Sequence, residues 1–282
     1  MPDATGVLLL DKAAGKSSFG AIAALRPVLG RKLGHAGTLD PFATGLLVVL
    51  AGRATRLATF LTGLDKRYRA AVRFGVTSTT DDPEGELTET AATTDEDAVL
   101  RSLDGFRGAI TQVPPAASAV HIDGERAYKR FRRGEDVAMP ERAVTIHAIE
   151  LLSFDAASQT AELDVHCSTG TYIRALARDL GVAVGAGGYC SALRRTEVGP
   201  FSIDAAVAAD GDIAAALRPA ADAVPHLPRR QITPAEVDAI AHGRRIDAHD
   251  EPAGPIVLLD GERLVAIGTR DGDTLRPGPV LG

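Results

Sequence analysis

Residues 34–47, GHAGTLDPFATGLL, carry a single acidic side chain, Asp40, in a loop that is rich in glycine. Pro41 disfavours helical backbone at the residue before it, so Asp40 is predicted in extended or turn conformation. The glycines permit sharp turns and the close approach of another chain. The apolar run from Leu46 to Leu50 predicts a buried strand that anchors the loop. An Asp-Pro step alone is a common turn, but this context favours a rigidly held carboxylate that faces a cleft.

The composition is that of a globular protein. The chain has 282 residues, of which 45% are hydrophobic and 24% charged, and this length suits one large domain plus a small one or two medium ones. No apolar run approaches the roughly 20 residues that span a bilayer, and the N-terminus lacks a secretory signal. The two cysteines, Cys167 and Cys190, offer neither a disulfide framework nor metal-ligand spacing. We therefore expect a cytoplasmic protein, with Cys167 as a buried structural thiol.

The charge is unevenly distributed along the chain. The net charge is −6, which at first argues against a nucleic-acid partner. From Lys12 to Arg73, however, eleven lysines and arginines face only two acids, whereas Asp81 to Asp97 holds eight acids and no base. A basic surface around Asp40 is therefore compatible with the acidic total, and an ordinary solvated surface is the alternative.

Hydrophobic periodicity outlines the secondary structure. Strands are predicted at 7–10, 46–50, 66–76, 163–167, 256–259 and 264–267, and helices at 17–26, 54–64, 98–106, 172–180 and 234–242. In the strand at 66–76, Tyr68 lies on the inward face and alternates with outward arginines. The acidic, turn-rich stretch 77–94 is predicted as a surface excursion, Ser168–Thr171 as a helix cap, and 225–230 as a linker. Arg174 and Arg178 share one helix face.

Five motifs together resemble the TruB family of tRNA pseudouridine synthases. They are the stretch that begins Asp11-Lys12, the Asp40 loop, Lys66-Arg67-Tyr68-Arg69, Gly170-Thr171-Tyr172-Ile173-Arg174, and the segment 193–199, which reads LRRTEVG. The resemblance implies an α+β fold, the pseudouridine-synthase fold with a mixed, mostly antiparallel sheet. It also implies a catalytic domain at 1–224, with a basic, thumb-like insertion at about 111–144, and a small β-rich, PUA-like RNA-binding domain at 228–282.

The resemblance assigns roles to individual side chains. Asp40 is the expected catalytic residue, Arg174 its cationic partner, and Tyr68 both a stacking platform for the target base and a candidate for proton transfer. His35 is expected to support the flipped nucleotide. Tyr172 and Leu193 are expected to line the uracil pocket, and Lys12 to contribute to substrate binding. From sequence alone, a surface arginine and core side chains remain the alternative interpretations.

The activity that the resemblance implies is isomerisation of uridine to pseudouridine at position 55 in the T-arm loop of tRNA. No cofactor and no metal is expected, nor a membrane or an obligate protein partner, and the protein is expected to be a monomer. Two alternatives stay open at this stage. One is the catalytic subunit of a guide-RNA-dependent pseudouridylase, and the other is a non-catalytic protein that binds or folds tRNA.

Overall fold

A computed structural model of the chain describes residues 4–122 and 124–282. Residues 1–3 of the expected catalytic domain and Asp123 of the expected insertion lie outside this range. The chain divides into two compact units. The first contains the residues up to Leu39, Leu46–Gly63 and Gly199–Gly282, and the second contains Asp40–Gly45 and Leu64–Val198.

Strands and short helices follow one another along the described residues. The strands are β1 Gly6–Lys12, β2 Leu33–Ala36, β3 Thr44–Ala51, β4 Lys66–Phe74, β5 Val76–Ser78, β6 Leu87–Glu89, β7 Gly108–Gln112, β8 His121–Ile122, β9 Glu125–Arg126, β10 Arg142–Asp155, β11 Thr160–Cys167, β12 Gly188–Val198, β13 Phe201–Ser202, β14 Val207–Ala208, β15 Arg229–Gln231, β16 Ile246–Asp247, β17 Pro255–Asp260, β18 Arg263–Asp271 and β19 Thr274–Val280. The helices are α1 Ser18–Ala23, α2 Arg26–Leu29, α3 Thr59–Thr62, α4 Glu96–Leu103, α5 Ala127–Arg132, α6 Ile173–Ala183, α7 Ile213–Ala216 and α8 Pro234–Ala241.

The second unit is built on an antiparallel run of strands in the order β12-β4-β11-β10-β7. The first residues of β3, Thr44 and Gly45, add a parallel pairing to β12, so the sheet is mixed and mostly antiparallel, as predicted. Helix α6 packs against β12. Strand β4 is an interior strand of this run, between β12 and β11, which explains why its inward side chains, among them Tyr68 and Phe74, are buried.

Two hydrophobic clusters among the described residues lie in the first unit. In one, the inward side chains of β1 and β3 pack against helix α1 through residues such as Leu8, Ile22 and Leu47. In the other, a five-stranded sheet in the order β15-β17-β18-β19-β16 packs against α8. The second cluster confirms the small β-rich C-terminal fold. Helix α8 begins with a capping box between Thr233 and Glu236, which satisfies two backbone N–H groups of its first turn.

Two sequence predictions about local structure need correction. Residues 54–64 form a 3-10 segment, Gly52–Leu57, and then the short helix α3, rather than one α-helix. The predicted linker contains strand β15, because Arg229 and Arg230 pair with β17 and the Arg230 side chain is held by Glu236 and Glu251. Among the described residues, no helix is long and apolar enough to cross a membrane.

Candidate active site

The Asp40 loop is held by close packing against β12. Asp40 lies outside helix and strand, as Pro41 predicts, and its carbonyl accepts a hydrogen bond from the backbone N–H of Ala43. Gly45 has a φ of 101°, and a Cβ at this position would lie 2.3 Å from the carbonyl oxygen of Arg195. Only glycine fits there without moving either strand. The glycine-rich sequence therefore fixes the loop against its neighbour rather than loosening it.

Arg174 reaches the Asp40 carboxylate from helix α6. Its Nε lies 2.9 Å from Oδ2, and Nη2 donates a hydrogen bond of 3.2 Å to Oδ1. The arginine side chain is 3% exposed, whereas the aspartate side chain is 35% exposed. A buried cation thus holds an anion that still reaches solvent. This contact favours the ionised carboxylate and orients it.

Arg174 is itself held by an acidic turn that the sequence analysis placed on the surface. Its Nη1 lies 2.8 Å from Oδ2 of Asp82 and donates to the carbonyl of Thr80, while Nη2 also donates to the carbonyl of Ala117. Asp82 is only 3% exposed. The prediction of a surface excursion is therefore wrong at this turn. Acidic composition alone predicts a carboxylate in water, but here the buried guanidinium of Arg174 compensates the charge of Asp82.

A second, partly exposed ion pair supports the same turn. Arg178, one helical turn after Arg174, lies 2.9 Å from Asp81 and donates to the carbonyl of Val113. Burial raises the pKa of Asp81, and the Arg178 charge opposes that effect. The sequence contained two signals of this network: arginines at four-residue spacing and a second Asp-Pro step, Asp82-Pro83.

Tyr68 is buried in the middle of β4, as its inward position predicts. It lies opposite Val165 of β11 and Arg195 of β12. The Arg195 guanidinium donates a hydrogen bond to its hydroxyl. Burial raises the pKa of Tyr68, the nearby Asp40 adds to this effect, and Arg195 opposes it. The side chain is therefore both a core aromatic and a neighbour of the candidate catalytic acid.

Tyr172 and Leu193 lie in the same unit as Asp40. Tyr172 precedes α6, and the guanidinium of Arg142 lies 5.4 Å from the centre of its ring. Leu193 is 8% exposed, and its carbonyl accepts a hydrogen bond from the Thr44 hydroxyl. Gln112 bonds to both backbone groups of Tyr172, accepting from N–H and donating to C=O.

The predicted serine and threonine cap of α6 is wrong. The Ser168 hydroxyl instead accepts from the N–H of Thr145, and the Thr171 hydroxyl donates to the carbonyl of Ser168. Gln112, from strand β7, takes over the N–H of Tyr172 at the start of the helix. A contact between residues so far apart in the chain leaves no local sequence signal.

The remaining two predicted site residues belong to the other unit. His35 lies in β2, opposite Val49 of β3. Lys12 ends β1, is 1% exposed, and donates to the carbonyl of Ala13. The second unit thus contains Asp40, Tyr68, Tyr172, Arg174 and Leu193, with Arg174 in direct contact with Asp40. The functional roles of all seven predicted site residues stay predictions.

This arrangement suits acid and nucleophile chemistry at one carboxylate. An ionised, partly exposed aspartate can attack an electrophilic carbon or stabilise a developing positive charge. In the described part of the chain, no three His, Cys, Asp or Glu side chains are grouped so that they could hold a metal ion. The expectation that no metal or cofactor takes part stays a prediction.

The fold is that of the pseudouridine synthases, and chains of solved structures share it. A chain of a Cbf5–Nop10–Gar1 complex is 26% identical and superposes with a TM-score of 0.74, over 98% of this chain and 84% of that one. A chain of an H/ACA RNP bound to a substrate RNA containing 2′-deoxyuridine has the same TM-score at 24% identity, and this likeness concerns the fold alone.

Family comparisons then narrow the class. The N-terminal domain of the TruB family pseudouridylate synthases matches residues 26–173, and the tRNA pseudouridylate synthase B C-terminal domain matches residues 174–238. A tRNA pseudouridine synthase B of Synechococcus sp. (strain WH7803) is 42% identical over 95% of this chain and 94% of its own length. One from Thermobifida fusca (strain YX) is 44% identical over 96% and 97%. The chain belongs to the TruB family.

Proposed function

We propose that this protein isomerises uridine to pseudouridine at position 55 in the T-arm loop of tRNA, acting alone as a monomer in the cytoplasm. The observation that carries the proposal is the Asp40 carboxylate, which is partly exposed and is held by the buried Arg174 in the loop that the family shares. The names of relatives that align over nearly the whole chain support a tRNA substrate.

The proposed reaction needs one base to leave and rejoin the same sugar. The bond between N1 and C1′ breaks, the uracil turns, and a bond between C5 and C1′ forms. C5 then loses its proton and N1 gains one, so the product is an isomer of the substrate. Asp40 serves either as the nucleophile or as the anion that stabilises the positive sugar, and Arg174 keeps it ionised and aimed.

The proposed nucleoside pocket uses the side chains around Asp40. Tyr68 provides a ring on which a flipped base can stack, and Tyr172 and Leu193 complete the apolar walls. The target nucleotide has to be extruded from a folded loop. His35 is proposed to support the flipped nucleotide, and Lys12 is proposed to contribute to substrate binding. A pocket of this kind recognises a loop by shape rather than a linear sequence.

Basic side chains outside the pocket are proposed to hold the RNA backbone. Helix α5 of the insertion carries Lys129, Arg130 and Arg132, and the Arg132 guanidinium lies 5.5 Å from the centre of the Tyr128 ring. Phosphate contacts by such residues fix the position of the RNA and leave base selection to the pocket. The C-terminal domain at 228–282 is proposed as a second RNA-binding surface.

The test uses purified protein and an unmodified tRNA transcript without additives. Carbodiimide-blocked reverse transcription should show a new stop at position 55, and a transcript with cytidine at this position should show none. Asp40→Asn should abolish the stop but still bind tRNA. Asp104→Asn, which changes an exposed carboxylate in the same unit, should behave as the unchanged protein.

Three outcomes separate the alternatives. Absence of a stop in the T-loop would refute the substrate assignment. Binding of tRNA without conversion would favour the non-catalytic protein. Conversion that appears only after a guide RNA and partner proteins are added would favour the guide-dependent pseudouridylase.

A further inference from the structure

Arg195 is the largest fully buried side chain among the described residues. It lies in β12 and is 1% exposed. Removing a guanidinium from water is costly unless its hydrogen-bond donors are satisfied. A cation kept at such a position therefore calls for a reason beyond packing.

The strand register places Arg195 beside the candidate stacking residue. Arg195 and Tyr68 are direct partners in the antiparallel pair β12–β4, so both side chains project from one face of the sheet. The guanidinium carries only donors, and it donates to the Tyr68 hydroxyl. The hydroxyl oxygen is thus engaged as an acceptor, and its own proton is directed away from Arg195.

The backbone of Arg195 is fixed against the catalytic loop. Arg195 is also the register partner of Gly45 in β3, and the missing Cβ of that glycine is what lets the two strands approach. The pairing with β4 shifts between Arg195 and Glu197, a bulge that directs the side chains on either side of it. Displacement of Arg195 would therefore shift both the Asp40 loop and Tyr68.

A second buried cation, Lys66, lies near Arg195. Lys66 precedes Tyr68 by two residues on the same face of β4, and it donates to the carbonyl of Leu64 and to the Thr169 hydroxyl. Burial, with a smaller contribution from the Arg195 charge, lowers the pKa of Lys66 to about 8. The neighbours of Tyr68 therefore include two buried cations, Lys66 and Arg195, and the Asp40 carboxylate.

We infer that Arg195 is a positioning residue for the isomerisation, and that it acts through the Tyr68 hydroxyl by fixing the orientation of that ring beside Asp40. The inference rests on the proposed function, because it concerns a residue that the target base would contact. Arg195 itself, being buried, is not proposed to touch the substrate. Its contribution is to hold the ring in one geometry before RNA binds.

A double-mutant cycle tests the link between the two side chains. Arg195→Lys keeps the charge but removes the planar fork of donors. Under single-turnover conditions, we expect the rate constant at saturating enzyme to fall about tenfold or more, while the enzyme concentration that gives half of that rate changes less than about twofold. In a Tyr68→Phe background, Arg195→Lys should lower that rate constant by less than about twofold, because the hydroxyl through which Arg195 acts is absent.

Tyr189 provides the matched control. It is a buried tyrosine on the same strand as Arg195, at the other end of β12. In a Tyr189→Phe background, Arg195→Lys should cost as much as in the unchanged protein. Equal losses in all three backgrounds would overturn the inference, because Arg195 would then act independently of the Tyr68 hydroxyl.

Nuclear magnetic resonance of the arginine side chains gives a second readout that needs neither Arg195→Lys to fold nor RNA to react. Tyr68→Phe should shift the guanidinium signals of Arg195, and Tyr189→Phe should leave them in place. Unshifted signals in Tyr68→Phe would overturn the inference. Failure of the proposed function would appear separately, as absence of conversion by the unchanged protein.

Discussion

Arg174 connects the candidate catalytic acid to a carboxylate that the sequence analysis did not assign to the site. Asp82 and Asp40 share this one guanidinium, and only Asp40 reaches solvent. Asp82 also accepts hydrogen bonds from the Thr80 hydroxyl and from the N–H of Glu84. These two contacts hold the carboxylate independently of Arg174. The position of Arg174, and with it the orientation of Asp40, therefore depends on a residue that is itself buried.

Asp82→Asn should slow the reaction without weakening the binding of tRNA. The amide keeps the shape but removes the charge that holds Arg174, and a displacement of about 1 Å at a catalytic group costs on the order of a hundredfold in rate. We expect kcat to fall by roughly that factor with tRNA affinity unchanged, as measured by single-turnover conversion and filter binding. Glu86→Gln, on an exposed residue of the same stretch, is the control. Equal rates for the two variants would contradict the role of Asp82.

The buried Lys66 should make the free energy of unfolding depend on pH. Its pKa is lowered from 10.5 to about 8 in the folded protein, so charging it costs more in the fold than in the unfolded chain. Below pH 8 this cost is fully present, and between about 8 and 10.5 it is lost because the unfolded chain then binds more protons. The free energy of unfolding should rise over that window, measured by urea denaturation. Lys66→Met should lack this increase, and an identical pH profile for both proteins would rule out Lys66 as its source.

At the scale of secondary-structure elements, Gln112 ties the end of β7 to the start of α6. Its amide is 1% exposed and satisfies both backbone groups of Tyr172, two residues before Arg174. Loss of a buried hydrogen-bond partner costs about 1–3 kcal/mol. Gln112→Ala should lower the free energy of unfolding by about that amount, and conversion should slow because α6 carries Arg174.

Gln112→Glu is the informative companion to that variant. A carboxylate still accepts from the N–H of Tyr172, but it buries a negative charge opposite the Tyr172 carbonyl and cannot donate to that carbonyl. At neutral pH we therefore expect a loss at least as large as that of Gln112→Ala in the same urea titration. If neither variant changes the unfolding midpoint, the contact does not anchor the helix.

The elements differ in how far the sequence could predict them. Alternation predicted β4 and β11, since a half-buried strand repeats every two residues. The apolar run predicted β3, and the Asp-Pro step predicted the loop conformation of Asp40. The burial of Asp81 and Asp82 and the Gln112 contact could not be predicted in this way. Each depends on partners such as Arg174, Arg178 and Tyr172, which are remote along the chain and near only after folding.

At the scale of the whole molecule, net charge and local charge point in opposite directions. The chain carries −6 overall, yet the buried acids Asp81 and Asp82 are already paired with arginines and contribute little repulsion to RNA. The region from Lys12 to Arg73 has eleven bases and two acids, and nine of those bases remain accessible, since Lys12 and Lys66 are buried. Binding of a polyanion is governed by the charges that contact phosphate, and not by the sum over the chain.

The affinity for tRNA should therefore depend on salt as it does for a basic protein. Each phosphate that a lysine or arginine neutralises releases counterions, so log K should fall linearly with log of the salt concentration. Filter binding between about 50 and 200 mM salt should show a steep negative slope. Lys129→Ala on α5 should make that slope shallower, whereas Arg101→Ala on α4 should not, since Arg101 is a basic residue outside the proposed RNA surface. A flat response in the unchanged protein would mean that phosphate contacts do not drive docking, and that RNA is bound on another surface.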